Sequence, residues 1–186
     1  AVPVLPSPLF DDGDLVVFDK PSGLQVLPAG GLLRHTLLGQ LEAQAMAGQV
    51  AGRPRPVHRL GRYTSGLLVC ARSHDARAWL GAQLRDSTRG AGADGCSGFA
   101  KIYRADLSLP QPDSPLAPLR PGHSLEVVTP IGRRPHPRLG SLWCAASDGG
   151  AEDALPARSR FTLLAQRADG WLVEVAIATG RPHQIR

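Results

Sequence analysis

The sequence contains no apolar run that approaches the roughly 18 residues a membrane-spanning helix needs, so no transmembrane helix is expected. It has only three cysteines, Cys70, Cys96 and Cys144, an odd number, widely spaced and without a C-x-x-C pair. That pattern supports neither a disulfide framework nor a zinc knuckle, and a reducing, intracellular compartment fits it best. Lysine is nearly missing: 19 of the 21 basic residues are arginine, the side chain suited to bidentate phosphate contacts. The opening segment AVPVLPSPLF lacks both the basic region and the long apolar region of a secretory signal. Because it begins at Ala1 rather than Met, a processed or truncated start is expected. The last residues, Gly180 to Arg186, stop without a terminating turn signal, so a C-terminal truncation is expected as well.

What is present describes an ordinary folded protein. A hydrophobic fraction of 42% and a charged fraction of 20% are globular values, and 186 residues fit one domain, expected to run over 1–186 as a monomer. The net charge of +5 is unevenly spread. Residues 1–50 carry two basic and five acidic side chains, a net of −3, whereas residues 51–100 carry eight arginines against three aspartates, a net of +5. Positive charge gathered in one segment is the electrostatic footprint expected for a polyanion, although a solvated arginine-rich face has the same composition.

Asp14 to Asp19 reads as a short buried strand followed by the turn Lys20-Pro21-Ser22-Gly23. From Thr36 the apolar positions Leu37, Leu38, Leu41 and Ala45 recur at helical spacing, with Gly48 as the stop. A loop with Pro54 and Pro56 leads to a second apolar strand, Leu67 to Ala71. Ser73 is placed as N-cap of a helix carrying Ala76, Trp79, Leu80 and Leu84 on one side. Ser87 to Gly98 reads as a surface loop. Phe99 to Leu109 alternates as a strand, with Lys101, Tyr103, Ala105, Leu107 and Leu109 on the face of Phe99. Residues 110–123 connect to a strand at Leu125 to Val128. Thr129 to Gly140, with Pro130, Pro135 and Pro137, reads as a loop, and Ser147 to Pro156 as a turn-rich stretch. Strands are expected at Arg160 to Gln166 and Trp171 to Ala178, joined by the hairpin signal Asp169-Gly170. Strands outnumber helices, which predicts an α+β fold with a largely antiparallel sheet.

Four segments, in order along the chain, carry a resemblance. They are Asp14 to Leu24 with its K-P-S-G turn; Val57-His58-Arg59-Leu60-Gly61-Arg62-Tyr63-Thr64-Ser65-Gly66-Leu67-Leu68; Lys101-Ile102-Tyr103-Arg104-Ala105; and Thr179-Gly180-Arg181-Pro182-His183-Gln184-Ile185-Arg186. Together they resemble the motifs of the RluA-type RNA pseudouridine synthases, which isomerise uridine to pseudouridine in tRNA or rRNA. The second motif of that family reads H-R-L-D-R, and here glycine stands at the aspartate position, as in a plant or algal-like branch with H-R-L-G-R. The resemblance implies the pseudouridine synthase catalytic fold, a mixed, largely antiparallel sheet flanked by helices. It implies an RNA partner bound in a basic cleft, and neither a cofactor nor a metal. In the family the aspartate attacks the target nucleotide, the bond from ribose C1′ to uracil N1 breaks, and the uracil turns and rejoins through C5, which requires a nucleophilic anion.

Carried over position by position, the resemblance makes Gly61 the vacated nucleophile position and Tyr103 the residue that stacks on uracil. Arg186, with Arg181 as the alternative, becomes the partner of the missing carboxylate. Arg59 helps fill the space of an extruded nucleotide, and His58, Arg62, Thr64, Arg181 and His183 belong to the substrate and RNA-binding set. Taken without the family, His58 and His183 fit hydrogen-bonding scaffold, Tyr103 an ordinary core tyrosine, and Thr64-Ser65-Gly66 a turn launching the next strand. An arginine left without its carboxylate needs water, another acid or an RNA phosphate to offset its desolvation. Asp75 and Asp86 lie within 25 residues of Gly61, but Asp75 fits the first turn of a helix, where the dipole accounts for it. Gly90 to Gly95 matches G-x-G-x-x-G, yet it follows a helix and opens a strand, the reverse of a dinucleotide site. If Gly61 leaves the protein without turnover, the alternative is an RNA-binding relative that keeps the basic cleft.

Overall fold

The computed structural model describes residues 2–29, 31, 34–89, 100–147 and 152–186, with side chains described at all of these except 85–89 and 152. The expected 87–98 loop falls largely outside the described residues, and the G-x-G-x-x-G match, Cys96 and Phe99 lie wholly outside them. The chain divides into two compact units, residues 1–84 and 85–186.

The first unit holds β1 (Phe10–Asp11), β2 (Leu15–Lys20), α1 (Leu37–Met46), β3 (Arg55–Pro56), β4 (Gly66–Ala71) and the first turns of α2 (His74–Arg89). Its sheet is antiparallel in the order β1-β2-β4-β3, with Leu15 opposite Ala71 and Lys20 opposite Gly66. Strand alternation sends Val16, Phe18 and Lys20 to the buried face beside Cys70 and Leu68, while Asp19 and Leu67 point the other way. Leu24, Val26, Leu37 and Leu41 complete the unit's core.

Helix α1 starts where expected because Thr36 is extended (φ −121, ψ 163) and its hydroxyl accepts from the Gly39 N–H at 3.1 Å. The N–H groups of Leu37 and Leu38, which have no intrahelical acceptor, go to the carbonyls of Gln25 and Val26. The helix is over before Gly48 (φ +68). Ser73 caps α2 through the Ala76 N–H at 3.1 Å. The apolar stripe on α2 does not become a buried face: Ala76, Leu80 and Leu84 are half-buried and Trp79 is 60% exposed. Trp79 sits on the flank of the i, i+4 row that holds the other three. The loop expected at Pro54 and Pro56 contains β3 instead, paired with Ala71 and Cys70. Proline survives there because an edge strand leaves one row of donors unused.

The second unit contains β5 (Lys101–Leu107), β6 (Ser124–Val127), β7 (Ile131–His136), β8 (Gly140–Ala145), β9 (Glu152–Leu155), β10 (Ser159–Gln166) and β11 (Trp171–Ile177). One antiparallel sheet has the order β5-β11-β10-β6 and the other β8-β7-β9. The larger sheet carries the buried cluster of Leu119, Phe161, Leu163, Trp171, Val173 and Val175. At the β10–β11 turn the Arg167 N–H meets the Gly170 carbonyl at 2.8 Å. A Cβ at Gly170 would lie 2.3 Å from the Leu107 carbonyl oxygen, so only glycine fits.

Two expectations are corrected in this unit. Thr129 to Gly140 is no loop, because Ile131 to His136 forms β7 and pairs with β8 from Ile131↔Ala145 to His136↔Gly140. Among the described residues β9 contacts β7 only at Ile131 and Arg133, so no strand described there asks for the N–H that Pro135 lacks. The 147–156 stretch supplies β9, with residues 148–151 outside the described set. Antiparallel sheets with two helices make the α+β fold that was expected. Among the described residues no helix is long and apolar enough to cross a membrane.

Candidate active site

Residues 61–64 form a turn closed by a hydrogen bond of 3.1 Å from the Thr64 N–H to the Gly61 carbonyl. A second turn, Lys20-Pro21-Ser22-Gly23, holds it in place. Lys20 is 0% exposed, and its ammonium donates to the carbonyls of Leu24 at 2.7 Å, Pro21 at 2.9 Å and Arg62 at 3.2 Å. All three donors are thereby used. The Gly23 N–H also reaches the Arg62 carbonyl at 2.8 Å, the Ser22 hydroxyl donates to the Tyr63 carbonyl at 2.9 Å, and Arg62 Nε returns to the Gly23 carbonyl at 3.2 Å. The first two motifs of the sequence are thus one piece of structure. Burial lowers the pKa of Lys20 from its ordinary value.

Gly61 lies in this turn without a left-handed φ, and a Cβ built on it would touch only the Thr64 hydroxyl, at 3.2 Å. A side chain there has room if that hydroxyl gives by a few tenths of an ångström. Arg59 is exposed and makes no hydrogen bond or ion pair with the described residues. Arg62 lies over the exposed Tyr63 ring, 5.3 Å from its centroid. His58 is half-buried, and its Nε2 accepts the Val69 N–H at 3.1 Å, which makes that nitrogen the unprotonated one and gives the ring a scaffold role.

None of the first unit's carboxylates is bonded to the turn. Asp11 forms a two-pronged pair with Arg72 at 2.7 Å, which holds its carboxyl down at about 2. Asp12 caps the β1–β2 turn through Asp14 N and Leu15 N, and Asp14 binds Ser73. Asp12 and Asp14 lie beyond the Leu15 end of β2 and Asp11 stands opposite Val16, so all three are about 13 Å or more along the strand from Lys20 at the end that meets the turn. Glu42 pairs with Arg55 and Asp75 with His74. Asp19 is next to Lys20 in sequence but on the opposite face of β2. Asp86 is among the residues whose side chains are not described.

In the second unit Tyr103 is half-buried on β5 opposite Val175, and burial pushes its phenol above the usual value. The Gly180 to Arg186 motif is a pair of tight turns, Gln184 N–H to Arg181 carbonyl at 3.3 Å and Arg186 N–H to His183 carbonyl at 2.9 Å. His183 adopts φ +59, a left-handed conformation that costs about 1 kcal/mol outside glycine. Its exposed ring stands 3.2 Å from an Arg186 guanidinium nitrogen. Arg181 is tied to the Pro156 carbonyl through Nε at 3.0 Å, while Arg186 remains exposed at the surface.

Two residues without an assigned role prove central to this geometry. Gln184 makes four hydrogen bonds: its oxygen accepts from the Thr179 hydroxyl and the Arg181 N–H, both at 2.9 Å, and its nitrogen donates to the Arg158 carbonyl at 3.0 Å and the Ser159 hydroxyl at 2.9 Å. The other is Lys20. Its available signal was a lone lysine at an inward strand position in a chain with almost no lysine.

The sequence profile of the RNA pseudouridylate synthase family matches residues 14–186. An uncharacterised RNA pseudouridine synthase of Synechocystis sp. is 38% identical over 185 residues, covering 100% of this chain and 54% of the relative. RNA pseudouridine synthase 5 of Oryza sativa subsp. japonica is 34% identical over 197 residues, covering 96% of this chain and 46% of the relative. The chain therefore spans about half the length of these curated relatives. Human RNA pseudouridylate synthase domain containing 1 has the same fold, with a TM-score of 0.71 at 21% identity over 100% of this chain and 64% of that one. The profile match, with four motifs in order on the matching fold, shows that this chain belongs to the RNA pseudouridylate synthase family, RluA type.

Proposed function

We propose that the protein is an RNA pseudouridine synthase, isomerising a uridine of tRNA or rRNA within an intracellular compartment. The observation that carries this reading is the Gly61–Thr64 turn, which Lys20, Ser22 and Gly23 hold rigidly although it bears no nucleophile. Rigid support for a turn is what a catalytic group needs, since a displacement of about 1 Å costs catalysis heavily. In the proposed roles Tyr103 stacks on the uracil, Arg59 fills the space of the extruded nucleotide, and Arg186 supplies charge for an anion. Arg62, Thr64, His58, Arg181 and His183 shape the substrate surface, with His58 acting through the backbone it holds. The carboxylate then comes from outside the first unit's placed acids.

A second reading, an RNA-binding relative without turnover, is favoured by the absence of any placed first-unit carboxylate at the turn. Gly61→Asp separates the two. A Cβ at Gly61 is tight only against the Thr64 hydroxyl, which has to give by a few tenths of an ångström, and this predicts that the variant folds, with a stability change within about 1 kcal/mol. Native protein and variant are incubated with tRNA and rRNA transcripts, and pseudouridine is read by carbodiimide labelling and primer extension. Product from the native protein supports the synthase. Product from Gly61→Asp alone overturns it in favour of the second reading, and RNA binding by neither protein overturns both.

A further inference from the structure

Tyr63 is the most exposed aromatic ring among the described residues, at 67%, and neither the scaffold nor the proposed roles account for it. The Thr64 N–H closes on the Gly61 carbonyl at 3.1 Å, which makes Gly61 to Thr64 a four-residue turn with Arg62 and Tyr63 at its two corners. The Cα atoms of Gly61 and Tyr63 are two residues apart and so within about 7 Å of each other. The ring therefore stands on the same turn that carries the Gly61 position. The second tyrosine of the chain, Tyr103, is half-buried on β5.

Both corner residues are held rather than loose. The Tyr63 carbonyl accepts the Ser22 hydroxyl at 2.9 Å, and the Arg62 carbonyl accepts the Gly23 N–H at 2.8 Å and the Lys20 ammonium at 3.2 Å. Arg62 Nε donates to the Gly23 carbonyl at 3.2 Å, which keeps its guanidinium over one face of the Tyr63 ring, 5.3 Å from the centroid. The arginine thus braces the ring from one side and does not cover the other. A ring already fixed in place loses little freedom when a flat ligand lies on it. Extruding a nucleotide takes a stacking neighbour from the bases beside it, and unstacked bases bind by lying on aromatic side chains.

We propose that Tyr63 stacks an unpaired nucleobase of RNA on its open face, with Arg62 bracing the ring from behind, so that the turn carrying Gly61 also holds the strand it works on. The inference rests on the reading of this chain as a protein that acts on RNA. A stacking contact has a signature that a phosphate contact lacks. It releases no counterions, so it adds affinity and leaves the salt dependence unchanged. It also needs the ring face and not the phenol hydroxyl, and it tolerates any base because every base has a π face.

The test compares native protein with Tyr63→Phe, Tyr63→Leu and Tyr63→Ala. Phenylalanine keeps the ring face without the hydroxyl, and leucine keeps apolar bulk without the ring. Binding of fluorescein-labelled oligouridylate and of a labelled tRNA transcript is followed by anisotropy over a salt series, with circular dichroism and unfolding midpoints to establish folding. Tyr63→Leu and Tyr63→Ala are expected to bind on the order of tenfold more weakly than native, with the slope of log affinity against log salt unchanged, while Tyr63→Phe stays within about twofold of native. If the alanine variant does not fold, the comparison of phenylalanine with leucine decides alone. A leucine variant that binds as tightly as native overturns the proposal, and so does a phenylalanine variant as weak as leucine, since the contact would then belong to the hydroxyl. Both results leave the proposed function standing, because native protein still binds RNA. No RNA binding by native protein defeats the proposed function itself and this inference with it. Self-association of native protein in sedimentation velocity that is lost in Tyr63→Leu, with RNA affinity unchanged, assigns the ring to a contact between copies of the chain and also overturns the proposal.

Discussion

Replacing Lys20 with methionine tests the central structural claim, that a buried ammonium joins two turns into one platform. Methionine keeps the length of the chain and removes the three donors. The Arg62 carbonyl keeps its Gly23 N–H, so the loss falls on the carbonyls of Leu24, at 2.7 Å in a buried position, and Pro21, at 2.9 Å and partly buried. An orphaned buried acceptor costs about 1 to 3 kcal/mol, and water reaching Pro21 reduces its share to the low end. Relief of the ammonium's desolvation offsets part of this, as the lowered pKa of Lys20 shows that burial penalises its charge. The net expectation is a loss of about 2 kcal/mol, read from guanidinium chloride unfolding. Linkage supplies a second arm. Since the folded pKa lies below the unfolded one, the unfolded state binds more protons in the window just under the ordinary lysine value of 10.5. Native stability relative to the methionine variant should therefore rise with pH through that window and be flat below it. A variant within about 0.5 kcal/mol of native, or a difference that shrinks as pH rises toward 10.5, would refute the reasoning.

Gln184→Leu should cost about 2 to 4 kcal/mol in the same unfolding assay, because four hydrogen bonds are lost at once, and Gln184→Glu should fall between because it keeps only the two acceptor bonds. Equal stability of all three proteins would remove Gln184 from the scaffold. Burial pushes the Cys70 thiol from 9.0 up to about 12, so its contribution to stability is complete below pH 9 and is lost as pH rises from 9 toward 12. Between pH 8 and pH 10 the native protein should lose about 1.4 kcal/mol relative to Cys70→Ala, measured as urea midpoints. The idea fails if the two proteins keep a constant difference across that range.

The elements that were legible in the sequence are those whose burial alternates or recurs with a regular period. Strand β2, helix α1 with its Thr36 cap and Gly48 stop, β4, and the β10–β11 hairpin at Asp169-Gly170 stand where their patterns put them. What escaped notice was strand structure in proline-rich sequence. Pro56 and Pro135 read as breakers, yet among the described residues each falls where no neighbouring strand makes a demand on its nitrogen, a fact of topology that composition does not carry. The stripe on α2 erred in the other direction. Trp79 has the period of a core residue and remains exposed, since period describes a face and not what lies over it.

The motif residues divide along a physical line that spelling cannot show. A polar group taken out of water must be hydrogen-bonded, so these buried and half-buried motif residues are committed to partners within the fold: Lys20 to three carbonyls, His58 to the Val69 N–H, Gln184 to two backbone groups and two hydroxyls, Arg181 to the Pro156 carbonyl. Exposed cations have no such obligation, and Arg59 and Arg186 keep their charge at the surface. Residues of the first kind should reveal themselves through stability and those of the second through RNA affinity and its salt dependence. Arg59→Ala should accordingly leave the unfolding midpoint within about 0.5 kcal/mol of native, as surface substitutions do, whereas Lys20→Met loses stability first and RNA binding only through the turn it supports. The same line puts Gly61 in neither class. Its turn is held by the bonds of the residues around it and Gly61 adds no side chain to them, so Gly61→Asp probes the position without removing any bond that holds the turn.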